Sequence, residues 1–277
     1  MQHSEGTFLG RKNLKIYYQS WSPNGIPIAV LLLIHGLAEH SGRYSNLVNY
    51  LVPRGYAVYA FDQRGHGKSE GTQGYVERFS YYLDDLKTFY SKVGQDHQST
   101  KIFLLGHSIG GTIAAAYATE HQNEMDGLIL SATVLKPGDS ITKSSILMAK
   151  TLSFLLPRIG VSTIDASAIS RDKAVVDAYI NDPLVYRGKI SARLGAELIN
   201  RMEMLATKIP KLSLPMLIMY GTADHLSNPS GSRMLFERAG SKDKELKTYE
   251  NYYHEIFNEP GREQVFSDMA EWLKLHV

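Results

Sequence analysis

The segment Gly106-His107-Ser108-Ile109-Gly110-Gly111 sets one hydroxyl among small residues, between an apolar run and an Ala-rich one. A serine on a tight strand-to-helix turn takes a strained backbone, so its flanks must be small, as Gly106 and Gly110 are. The turn lifts the hydroxyl above the sheet edge and aims the following helix at it, which suits attack on an acyl carbon. A hydroxyl is a poor nucleophile until a base takes its proton, and that base needs an acid to orient it. Ten histidines compete for the base role. His254, in Tyr252-Tyr253-His254-Glu255, follows a strand signal, and parallel sheets build their sites in loops at strand C-terminal ends. His225 reads as a surface neighbour of Asp224, and His3, His97, His121 and His276 fall at a terminus or on polar stretches. His35, His40, His66 and His107 lie near site loops, where supporting roles suit them better than the base role.

Asp224 ends the run Met216-Leu217-Ile218-Met219-Tyr220-Gly221-Thr222-Ala223 and precedes His254 by 30 residues, room for one helix and one strand. Asp62 is the rival acid, also at a strand end, but it precedes the serine and its loop looks built to fold on itself. The order Ser108, Asp224, His254 is that of an α/β-hydrolase triad. Two backbone donors complete the set, Ile109 N–H at the helix start and Leu37 N–H in His35-Gly36-Leu37. One such donor typically contributes about 3 kcal/mol to transition-state stabilisation.

Apolar strands must hold these loops, and strand signals alternate with helical ones through the first half of the chain. Leu14, Ile16 and Tyr18 predict an edge hairpin, and Ile28–Ile34 a strand buried on both faces. Strands are expected at 56–61, 102–105 and 128–130, and helices at 44–51, 81–90 and 108–119. This rhythm favours a mostly parallel sheet with helices on both faces. It breaks after Val134: no strand is expected from Lys136 to Ala206, and several segments read as helix. Strand signals return at 216–220 and 246–249, and Gln264–Leu275 reads as a final helix. The chain therefore divides into a sheet core, 1–135 and 207–277, and an inserted helical cap, 136–206. Ser144–Leu156 carries a single charge, Lys150, and is too short to cross a bilayer. Its apolar face could dip into lipid, line an acyl tunnel, or bury itself on the core.

Composition sharpens what remains. Among 277 residues, 30 Lys+Arg oppose 28 Asp+Glu, a charge of +2 with no basic run, so no nucleic-acid partner is expected. The absence of cysteine excludes disulfides, thiolate zinc sites, iron–sulfur clusters and a Cys nucleophile. No metal or other cofactor is called for. The longest aliphatic run, Ile28–Ile34, is far below the roughly 20 residues that span a bilayer. Met1–Glu5 lacks the basic and apolar regions of a signal peptide, which predicts a cytoplasmic protein, peripheral at membranes through its cap.

The chain resembles the monoacylglycerol lipase and lysophospholipase branch of the α/β-hydrolases from about Thr7 to Leu275. The matching segments are His35-Gly36-Leu37-Ala38-Glu39-His40-Ser41-Gly42-Arg43-Tyr44, Asp62-Gln63-Arg64-Gly65-His66-Gly67-Lys68-Ser69 and Gly106–Gly111. Asn181-Asp182-Pro183-Leu184, Gly221-Thr222-Ala223-Asp224 and Tyr253-His254 follow. The serine and aspartate loops are shared by many hydrolases; the Glu-His-Ser-Gly-Arg-Tyr stretch is much more specific to monoacylglycerol lipases. The resemblance implies an α/β-hydrolase fold whose cap leads an acyl chain to the serine, with a monoacylglycerol or other single-chain lipid ester as substrate. Carried over by motif position, Glu39, Arg43, His107 and Tyr179 would form the polar end that meets glycerol. The sequence departs from the pattern at Leu37, which replaces a small residue, and it lacks the cysteines near the site of animal relatives, pointing to a microbial source. Lysophospholipase or carboxylesterase activity, acyl transfer to an alcohol, and a catalytically dead binding module are the alternatives. The presence of all three triad residue types argues against the last.

Overall fold

The computed structural model describes residues 1–137 and 142–277. Strands β1 (Gln2–Leu9) and β2 (Lys15–Ser22) form the expected edge hairpin. There follow β3 (Ala29–Ile34), α1 (Ser45–Leu51), β4 (Tyr56–Phe61), α2 (Ser80–Asp96), β5 (Ile102–His107), α3 (Ile109–His121) and β6 (Gly127–Ser131). The next segment holds α4 (Lys143–Leu155), β7 (Gly160–Ser162), α5 (Lys173–Asn181), β8 (Ile190–Ser191) and α6 (Ala192–Lys208). Then come β9 (Met216–Gly221), α7 (Pro229–Arg238), β10 (Lys244–Tyr249) and α8 (Arg262–His276).

Eight strands form one sheet in the order β1-β2-β4-β3-β5-β6-β9-β10. The pairings from β4 through β10 are parallel, and the two that attach β2 and β1 are antiparallel. Strand β3 explains the layering. Val30, Leu32 and Ile34 enter one core with Phe89 of α2 and Ile113 of α3, while Ala29, Leu31 and Leu33 enter the other with Leu47 of α1 and Trp272 of α8. A strand buried on both faces needs apolar residues at both parities, which is why it reads as a continuous run. Helix α3 is buried almost all round, and its Gly and Ala residues let it lie close against the sheet. The mostly parallel sheet with helices on both faces is the architecture expected from the sequence.

The segment between β6 and β9 differs from expectation in two respects. A two-stranded pairing of β7 with β8 lies where no strand was expected; at three and two residues, both are too short to show a periodicity. The expected boundary at 206/207 falls inside α6, whose Leu194 and Leu205 join the core on the α3 face of the sheet. Within the expected cap, 138–141 lies outside the described residues.

Candidate active site

Ser108 stands between β5 and α3 at φ 56°, ψ −122°, a conformation that costs a non-glycine residue on the order of 1–3 kcal/mol. Its backbone is held by Ser108 N–H to Ser131 O (2.9 Å) and Val134 N–H to Ser108 O (3.3 Å). The flanking glycines are sterically required. A Cβ on Gly106 would lie 2.5 Å from Gly110 O, and one on Gly110 would overlap the carbonyl oxygens of Ile34 and His35.

The loops after β9 and β10 bring Asp224 and His254 to this hydroxyl. His254 Nε2 is 2.9 Å from Ser108 Oγ, and His254 Nδ1 is 2.8 Å from Asp224 Oδ2. An ionised carboxylate only accepts, so the Nδ1–H tautomer follows and Nε2 is free to accept the serine proton. Asp224 is fixed by three further donors: Leu226 N–H (2.8 Å), Ser227 N–H (2.9 Å) and Ser227 Oγ–H (2.5 Å). Burial alone would push its carboxyl up, but His254 and the Ser227 donors hold it below the ordinary carboxylate range. Burial would likewise lower the His254 pKa; Asp224, then Glu255 and Glu39, outweigh it and raise the imidazole above its usual value.

The rival acid stays apart. Asp62 accepts from Ser41 N–H (2.8 Å), Ser41 Oγ–H (2.6 Å) and Lys68 N–H (2.8 Å), folding its loop on itself. His35 accepts from Gln63 N–H (2.8 Å), and the His225 ring meets Tyr253.

Leu37 and Ile109 both border the cavity in front of Ser108. Ile109 is the first residue of α3, where amides have no acceptor one turn back. Gly36, just before Leu37, packs so closely that an added Cβ would lie 3.1 Å from Ser108 Cβ.

Of the four residues expected at a polar end, Glu39, His107 and Tyr179 line the cavity, and Arg43 does not. Arg43 lies behind them. Its Nη2 donates to both oxygens of Glu255 (2.8 and 2.6 Å), its Nε is 3.5 Å from Glu39 Oε2, and its guanidinium packs on the Tyr179 ring at 4.7 Å. Arg43 thus ties the two acids to one guanidinium, Glu255 through Nη2 and Glu39 as a longer ion pair at Nε. Burial and the nearby Glu255 raise the Glu39 pKa against the pull of Arg43. Glu39 also accepts from Gly36 N–H (2.5 Å) and Tyr44 Oη–H (2.8 Å). His107 has its pKa lowered by burial and by His254, whose ring centroid is 4.8 Å away; its Nδ1 is 3.1 Å from Ser131 Oγ. The sequence reading missed Glu255. Its place directly after His254 was the available signal, but nothing tied it to Arg43, 212 positions away.

The cavity holds about 270 Å³ and is mainly apolar beyond Ser108. Its far wall is α6, through Leu198, Ile199 and Met202, with Ile164 and Ile190 beside it. Among the described residues, none of its lining comes from α4, which packs on α6 and leaves Leu147, Met148, Phe154 and Leu155 exposed. The tunnel wall considered for Ser144–Leu156 therefore belongs to α6.

A family model described as serine aminopeptidase, S33, matches residues 25–261. A monoacylglycerol lipase of Mycolicibacterium smegmatis is 36% identical over 274 residues, covering 99% of this chain and 98% of that one. The human monoglyceride lipase is 36% identical over 261 residues, 93% of this chain and 86% of its own. The crystal structure of a Paleococcus ferrophilus monoacylglycerol lipase superposes with a TM-score of 0.86 at 34% identity, covering 95% of this chain and 99% of that one.

Proposed function

Because the chain belongs to the monoacylglycerol lipase group of the serine aminopeptidase S33 family, carboxylic ester hydrolases of α/β-hydrolase fold, we propose that it cleaves monoacylglycerol to fatty acid and glycerol through an acyl-enzyme on Ser108. The observation that carries this reading is a hydrogen-bonded Ser108–His254–Asp224 chain that opens into an apolar cavity with polar groups at one end.

In the first step Ser108 Oγ bonds to the ester carbon while His254 Nε2 takes its proton, and Asp224 stabilises the imidazolium. The carbonyl oxygen, now an anion, accepts from the N–H groups of Leu37 and Ile109. Collapse breaks the bond to the glycerol oxygen, which leaves with the proton from His254. Water then attacks the acyl-enzyme, giving its proton to His254 and releasing the fatty acid as Ser108 is reprotonated.

One feature favours a neutral head group. Glu39 and Glu255 both border the cavity near Ser108, and two carboxylates there disfavour a phosphodiester relative to the neutral hydroxyls of glycerol, with Lys136 the cation on the described lining. An apolar chain of one fatty acid suits the opposite end. Residues 136–206 act as the cap, and the exposed apolar residues of α4 are its contact with a lipid surface. Among the described residues, no helix is long and apolar enough to cross a membrane.

The test combines labelling with a substrate panel. A fluorophosphonate probe should label the protein and leave Ser108→Ala unlabelled, with esterase activity falling on the order of 10⁴–10⁶-fold. Monoacylglycerol should be hydrolysed with a higher kcat/KM than lysophosphatidylcholine. Undiminished labelling of Ser108→Ala overturns the nucleophile, and preference for lysophosphatidylcholine overturns the substrate.

A further inference from the structure

Helix α6 presents residues 195, 198, 199 and 202 to the cavity, the spacing of one helical face. Three of these are Leu198, Ile199 and Met202; the fourth is Gly195. Glycine is the least favourable residue after proline for a helix interior, so a glycine there needs a reason. The usual reasons are absent. Gly195 is the fourth residue of a 17-residue helix, far from its C-terminal end, and is not among the glycines with positive φ. A Cβ built on it meets no heavy atom within 4 Å, in contrast to Gly106, Gly110 and Gly111, each of which is pressed against neighbouring atoms. The space that its side chain would fill is open, and Gly195 borders the cavity on the face that carries Leu198, Ile199 and Met202.

We propose that Gly195 is a specificity-determining residue: the missing side chain is the space through which a long acyl chain runs past α6. The inference rests on reading the cavity as the acyl site. Every methylene kept out of an apolar cavity weakens binding about fourfold. A leucine at 195 puts four carbon atoms on this wall, enough to exclude at least two methylenes.

The experiment measures kcat/KM for saturated 1-monoacylglycerols from C8 to C18 on wild type, Gly195→Ala and Gly195→Leu, with a parallel series of p-nitrophenyl esters from C4 to C16. The C16:C8 ratio should fall at least tenfold in Gly195→Leu and two- to fourfold in Gly195→Ala. The melting temperature of Gly195→Ala should match or exceed that of wild type, since nothing needs to move and the helix gains a better former. An unchanged ratio in both variants, or an equal loss at every chain length, overturns the proposal. Should Gly195→Leu fail to fold, the Gly195→Ala ratio decides. If wild type cleaves p-nitrophenyl esters and not monoacylglycerols, the head-group reading fails while the ester series still judges Gly195. If wild type cleaves monoacylglycerols and the ratios do not move, Gly195 alone is wrong.

Discussion

Behind the His254 ring, Glu39 and Glu255 face one guanidinium, and the balance of that triad reaches the imidazole. His254 must be neutral to take the Ser108 proton, and the carboxylates around it favour its protonated form. Removing one of them lowers the imidazole pKa, so the base becomes active at lower pH. For Glu255→Gln the acidic limb of kcat/KM against pH, measured on a neutral short-chain ester, is expected to move to lower pH. A limb that stays in place or moves up would show that the triad does not act on His254. Ser108, Asp224 and His254 could be read from sequence because each ends a strand or follows one, and chain order then selects them. The Arg43–Glu255 pair could not, since only the folded sheet brings two loops 212 positions apart into contact. Motif position suggested Arg43 as a glycerol ligand; its pairing with Glu255 and Glu39 could not be read from the motif.

At the scale of elements, the approach of α3 to β3 sets where Ser108 stands. Gly110 lies against the carbonyls of Ile34 and His35, and backbone atoms cannot swing aside as a side chain can. Gly110→Ala is therefore expected to cost about 1–3 kcal/mol, the usual range for overpacking. For a chain of this size that lowers Tm by on the order of 2–10 °C, measurable by calorimetry. A variant that melts like wild type would mean that α3 has room to retreat. The parallel strands were legible because burial on both faces demands apolar residues at every position, as in β3. Strand β1 was implied only through the hairpin that β2 predicts: it pairs with β2 alone, and most of its residues face water, so Gln2-His3-Ser4-Glu5 carries no strand pattern of its own. Helix α4 shows a different limit. Its apolar sequence fits a wall of the cavity, a lipid contact or a core face equally well, and only the fold shows that α6, itself strongly one-sided, borders the cavity instead.

For the molecule as a whole, the question is what α4 does with apolar side chains that face neither cavity nor core. Phe154 is 83% exposed and Leu147 67%, and Leu155, Leu156, Ile159 and Val161 nearby are exposed as well. If this face is the lipid contact proposed for the cap, its binding should be apolar in character. With a formal charge of only +2, attraction to anionic lipid adds little, so the apolar contact should dominate. Burying one such side chain contributes about 1.5–3 kcal/mol at full transfer, so losing two weakens binding at least about tenfold even when transfer is partial. Flotation with neutral phosphatidylcholine vesicles should show that loss for Leu147→Ser/Phe154→Ser, with little dependence on salt. Hydrolysis of a water-soluble ester should stay near the wild-type rate, because neither side chain lines the cavity. Binding that survives the double substitution and collapses with salt would assign the contact to charged groups elsewhere. Loss of both vesicle binding and soluble-ester turnover would instead tie α4 to the shape of the cavity through its packing on α6.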